Sequence, residues 1–128
     1  MNKFLPVAAI AVLLLSACSS NEPAPAASVS APVAAVDRTA DVTAALDVAG
    51  AAAITSAEET EPGRVVISTS IVDPRGENGS AEAVLAVSIC DVVSAMAGVE
   101  HVSIMEADGT TFVLFGHPSV PEGACAEV

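Results

Sequence analysis

A small α+β domain built on a mixed β-sheet is the fold this sequence predicts, and three observations predict it. A β-branched run, "RVVISTSIV", occupies residues 64–72. An apolar stretch with helical spacing runs from Ala81 to Ala97. Two more apolar runs, "VEHVSIMEA" and "TTFVLFG", flank Asp108-Gly109. In chain order these read strand, helix, strand, strand. The β-α-β-β order implies one crossover and then a hairpin, with the main helix on one face of the sheet.

The first strand is bounded by a Pro62-Gly63 turn and an Asp73-Pro74 stop. Its odd positions, Val65, Ile67, Thr69 and Ile71, are the more apolar set and should face the core. Ser80 is a good N-cap for the helix, and Glu82 in the first turn favours the helix dipole. Leu85, Ile89, Val92, Val93 and Met96 make the apolar stripe, and Gly98 suits the left-handed backbone that ends a helix. Asp-Gly is the strongest short hairpin signal. With Asp108-Gly109 as a two-residue turn, Ala107 opposes Thr110, and the pairs Ile104/Val113 and Val102/Phe115 share one face. Met105/Phe112 and Ser103/Leu114 share the other. Upstream, Val42, Ala45, Leu46, Ala49 and Ala53 recur at helical spacing, which predicts a helix over 39–54. Thr39 or Asp41 would cap it, Gly50 would interrupt it, and it would end before the acidic "SAEETEPG" of 56–63.

The chain has 128 residues, enough for one small domain. Residues 39–128 are assigned to it, with 64–128 as its core. Before it, "SSNEPAPAASVSAPVAA" at 19–35 is rich in Pro, Ala and Ser and has too little to bury to offset chain entropy. Residues 18–38 therefore read as a disordered tether, holding the domain roughly 25–60 Å from its attachment.

The N-terminus explains the attachment. Phe4 to Ala17 is continuously apolar but short of the roughly 20 residues a membrane span needs. With Lys3 before it and small residues after it, residues 1–17 fit a secretory signal. The following "LSAC", residues 15–18, resembles the lipobox of bacterial lipoproteins. That resemblance implies a diacylglycerol on the Cys18 thiol, cleavage just before it, and further acylation of the new amine. It also implies an extracytoplasmic place in the cell envelope, on the cell membrane or on an outer membrane where one exists. One acyl chain anchors a protein marginally, whereas two or three anchor it stably.

Export has two consequences. It places Cys90 and Cys125, the other cysteines, in an oxidising compartment, where an even pair reads as a disulfide. A core of about 65 residues is marginal by burial alone, so such a bridge would matter. Cleavage also removes Lys3, leaving three basic against sixteen acidic side chains, a formal charge of -13. Such a chain is repelled by nucleic acid and by anionic headgroups, so nucleic-acid binding is excluded.

Catalytic patterns are missing. There is no nucleophile elbow, no HExxH, no CxxC and no phosphate loop. His101 and His117 would lie nearly opposite each other, with Glu100 nearby, but a metal site needs three or four ligands. No metal, cofactor or enzymatic activity is expected. The loop "DPRGENGS" at 73–80 leads into a helix N-terminus, so Arg75, Gly76, Gly79 and Ser80 form a candidate ligand loop. Against an anion stand Asp73 and Glu77, and the glycines lack phosphate-loop spacing.

Val66, Met105, Phe112 and Leu114 would form an apolar patch on the second sheet face. Either residues 39–54 fold over it to complete a sandwich, or it stays open for strand addition or homodimerisation. The leading expectation is a lipid-anchored, non-catalytic module that binds an envelope protein or a wall-associated ligand. The alternative is a small-ligand or ion sensor using the 73–80 loop.

Overall fold

The computed structural model describes residues 33–76 and 78–128. The signal segment, Cys18 and the tether up to residue 32 lie outside the described residues. The elements are β1 (Val36–Asp37), α1 (Thr39–Ala45), α2 (Val48–Ala53), β2 (Ile54–Glu61), β3 (Arg64–Thr69), α3 (Ala81–Ser94), β4 (His101–Met105), β5 (Thr111–Phe115) and β6 (Ala126–Glu127). All six strands form one sheet in the order β1-β2-β3-β4-β5-β6. Only β3 and β4 are parallel, with α3 as the crossover between them; every other neighbour is antiparallel. The protein is thus an α+β domain on a mixed sheet. The strand, helix, strand and strand of the sequence reading fall among nine elements in the described residues. Among the described residues, no helix is long and apolar enough to cross a membrane.

The core lies on one face of the sheet. Val65 and Ile67 of β3 align with Val102 and Ile104 of β4, and Ile104 with Val113 of β5. All five are essentially unexposed, as are Ile89, Cys90 and Val93 of α3 above them. The Ser80 hydroxyl caps α3 by accepting the Ala83 N–H at 3.0 Å. The helix turns Ala83, Ala86, Ile89, Cys90 and Val93 to the sheet, whereas the expected Leu85 and Met96 flank the core half-buried. Two alanines in this face let the helix backbone come close to the strands. Cys90 is fully buried in this face. Ser80→Ala should cost about 1 kcal/mol in urea unfolding, since it leaves a helix N–H unpaired.

Residues 36–61 depart from the sequence reading in three ways. The helix over 39–54 is two short helices, and the break falls at Leu46-Asp47 and not at Gly50. Asp47 Oδ1 accepts the Gly50 N–H at 2.7 Å and so starts α2, while neither Thr39 nor Asp41 caps α1. Gly50 is buried because its backbone faces α3: a Cβ there would lie 3.4 Å from Ile89 Cγ1. The acidic 56–61 stretch is strand rather than loop, and 36–38 of the supposed tether is ordered. Val36–Asp37 pairs with Glu58 and Glu59, and the Arg38 N–H bonds the Ala57 carbonyl at 2.8 Å. Finally, α1 and α2 do not cover the second face. Val42 and Ala53 belong to the same core as Ile89 and Val65, so all three helices share one layer.

Pro62-Gly63 makes the β2–β3 turn, with Gly63 at φ +78°, as a turn with proline at its second position and glycine at its third requires. The Gly63 carbonyl accepts the N–H groups of both Glu100 and His101, which fixes where β4 begins.

The β4–β5 hairpin corrects a second expectation. The Gly109 N–H bonds the Glu106 carbonyl, the Glu106 N–H bonds the Thr110 carbonyl, and Gly109 has φ +84°. These bonds define a three-residue loop, Ala107-Asp108-Gly109, with the glycine left-handed, not a two-residue turn. The extra residue is absorbed by a bulge. Met105 pairs with Thr111 while Ile104 still pairs with Val113, so Phe112 has no partner. The bulge rotates Phe112 into the core, where it is 4% exposed.

Cys90 and Cys125 are joined by a disulfide, across a sequence separation of 35. It ties the tail that carries β6 to the middle of α3.

Candidate functional site

Among the described residues every helix lies on one side of the sheet, which leaves the opposite face bare. One row crosses all six strands on that face: Asp37, Glu58, Val66, Ser103, Leu114 and Ala126. A neighbouring row is Ser56, Ser68, Met105 and Thr111. Val66, Met105 and Leu114 are half-buried by their neighbours. The middle of the face is lined by small hydroxyl side chains, with Val66, Met105 and Leu114 among them. Phe112, expected here, is not part of it. The acids gather at the β1–β2 end, where Asp37 and Glu58 are exposed.

The 73–80 loop sits where β3 ends and α3 starts, beside the β4–β5 turn. Arg75 adopts φ +58°, a left-handed backbone uncommon outside glycine. Its N–H bonds Asp73 Oδ1 at 3.1 Å, and its Nη2 donates to Glu106 Oε2 at 2.6 Å. Glu106 is only 5% exposed, and its other oxygen accepts the Asp73 N–H at 2.6 Å. On the far side, the Gly79 N–H donates to Glu127 Oε2 at 3.0 Å. The Arg75 and Gly79 donors are thus occupied by the chain's own carboxylates, and Ser80 is occupied by its cap.

Two adjoining cavities of about 410 and 230 Å³ flank the loop and share Asp73 and Arg75. Val72, Glu106, Ala107 and Asp108 line the larger; Gly76, Asn78 and Glu127 line the smaller. Carboxylates outnumber the single guanidinium, which suits a cationic group better than an anion. The Thr110 backbone N–H, then the Thr110 hydroxyl and the nearby Arg75, hold the Asp108 carboxyl below its usual pKa.

Among the described residues, all three arginines are paired. Arg38 lies 2.6 Å from Glu59, Arg64 lies 3.0 Å from Glu61, and Arg75 lies 2.6 Å from Glu106. Glu59 also accepts the Gly63 N–H at 2.9 Å. That bond first, and then Arg38, lower its pKa from the ordinary 4.5. A carboxylate with a lowered folded-state pKa stabilises the fold above its unfolded pKa, and the stabilisation is lost as pH falls through the folded value. Urea midpoints measured at pH 7 and pH 3 should therefore fall less in Glu59→Gln than in the native chain. Equal falls would mean that these contacts contribute nothing.

The histidines do not assemble a metal centre. The His117 Nδ1 pairs with the Ser119 hydroxyl at 2.7 Å. Gly116 is pressed against the Glu100 carbonyl and the His101 ring, at φ +71°. No group of three or more His, Cys, Asp or Glu among the described residues is placed to hold a metal ion.

Sequence reasoning missed Glu106 and Glu127, which define the loop's chemistry. An acid closing the apolar run "HVSIM" was the one available sign for Glu106; nothing local marks Glu127. No family model, curated protein or solved structure matches the chain.

Proposed function

We propose that this protein is a lipid-anchored module of the cell envelope that binds an envelope protein or a wall-associated ligand and catalyses no reaction. The supporting observation is the bare sheet face, with Val66, Met105 and Leu114 half-buried among serines and threonines. The lipobox-like "LSAC" supports attachment through Cys18, and the Pro/Ala/Ser-rich tether gives the domain reach. A homodimer is the other occupant such a face admits.

Crosslinking and mass spectrometry on native membranes test this reading. Val66→Lys and Leu114→Lys change only the bare face, so they should keep the far-ultraviolet circular dichroism and lose the crosslinked partner. An unchanged partner set would sink the proposal. A sole crosslink to a second copy would make the partner the protein itself. Cys18→Ser should abolish palmitate labelling and release the protein from the membrane fraction. A second reading, a small-ligand or ion sensor, draws on the two cavities beside Arg75. A panel of amines and cations should then raise the melting temperature, and Asp108→Asn should remove the rise.

A further inference from the structure

We propose that residues 121–128 form a latch, closed by the Cys90–Cys125 bond, over the outer edge of β5 and the 73–80 loop. Reduction of that bond by a dithiol opens both places together. The latch acts at the sheet edge where the bare face ends in Ala126 of β6, but its test reads tail and loop amides and stands or falls independently of the function proposed above.

Besides packing against α3, the tail hydrogen-bonds to two places. Glu127 and Ala126 pair with Val113 and Leu114, and the Val128 N–H bonds the Phe112 carbonyl at 3.0 Å. The Glu127 carboxylate turns the other way and accepts the Gly79 N–H at 3.0 Å. One two-residue strand thus covers a sheet edge and closes one wall of the smaller cavity. So short a pairing is not stable in water by itself. The cystine stands one residue before the pairing begins, where it fixes both position and register. Little of the buried core comes from the tail. The buried cluster runs from Val42 to Val113, and the tail adds to it only the half-buried Cys125.

Cys90 is fully buried and the partly buried Cys125 is the more accessible of the two, so attack falls on the Cys125 sulfur. A dithiol's thiolate bonds to that sulfur, the S–S bond breaks, and the electron pair leaves on Cys90, which takes a proton. The second thiol of the dithiol then displaces Cys125 as a thiol, and the reagent departs as its own cyclic disulfide. The protein gains two electrons and two protons. The freed β5 edge presents unpaired N–H and C=O groups, a template for a strand from another chain.

Amide hydrogen exchange on the full domain tests the latch. It compares the oxidised protein, the protein reduced with dithiothreitol, and Cys90→Ser/Cys125→Ser. On opening, the Gly79 and Val128 amides should exchange at the rate of an unstructured chain, while those of Ile67 and Ile89 stay protected, their protection lowered by a common factor. Equal factors at all four sites would overturn the proposal, as would no change at Gly79 and Val128 or wholesale unfolding. Glu127→Ala in the oxidised protein gives an arm that needs no reduction. It should free Gly79 alone, and loss of Val128 protection there would make the carboxylate, not the cystine, the latch.

Discussion

Replacing Phe112 by alanine is expected to destabilise the domain by about 3–5 kcal/mol, the cost of emptying a large buried site. The same truncation at Leu114, two residues along the strand, should cost about 1 kcal/mol, because that side chain is half-exposed on the bare face. The contrast reports on the bulge. Without it, Phe112 and Leu114 would share a face and respond alike. With it, Phe112 is 4% exposed and packs with Ile104 and Val113 under α3. Urea unfolding of both variants checks this, with the slope compared to confirm that each still unfolds in one step. Similar losses at the two positions would mean that Phe112 is not turned inward. A charged residue at Phe112 would also be a poor probe of partner binding, since it would unfold the domain before testing the surface.

The second large effect belongs to the cystine. Cys90→Ala/Cys125→Ala is expected to cost roughly 3–4 kcal/mol on the chain-entropy model for a bridge closing a loop of this length. In a domain of this size that lowers the melting temperature by about 15–25 °C. The loss arises mostly in the unfolded chain, whose freedom the bridge between residues 90 and 125 restricts. Thermal unfolding with and without reductant gives the same comparison for the native sequence. A fall of only a few degrees would show that the bridge holds the tail and leaves the fold's stability nearly untouched.

The middle of the domain was legible because its signals were local. β3 alternates strictly, Ser80 starts the helix, and Asp108-Gly109 marks a reversal; the helix stops at Ser94, short of the expected Ala97, and Gly98 is left-handed in the turn beyond it. The pairings Val102/Phe115, Ser103/Leu114 and Ile104/Val113 follow from the sequence and are present. The turn's own length was not legible, since a two-residue and a three-residue Asp-Gly loop differ by one residue. The bulge at Phe112 hides that difference from the rest of the strand. β2 was missed because Ala57 is the one buried apolar residue in an acidic run. Its carboxylates read as solvent-exposed loop, yet Glu59 is held by Arg38 and Gly63. The same alanine-rich composition that left 39–54 ambiguous lets α2 and α3 approach closely at Gly50. Of the candidate site, the bare face depended on which side the N-terminal helices chose, and no periodicity encodes that. The loop's chemistry depended on Glu106 and Glu127, which are distant from it in sequence.

The strands lie across the sheet in the order in which they leave the chain, and this bears on how the domain is made. Pairings between consecutive strands through short turns close quickly. The parallel meeting of β3 with β4 requires the chain to bring residue 64 beside residue 101 with α3 in between. That is the longest closure in the sheet, and its entropy must be met before its contacts form. Refolding speed should therefore track the stability of α3. Ser80→Ala should slow refolding, whereas truncating Val36 in the edge strand β1 should leave that rate unchanged and speed only unfolding.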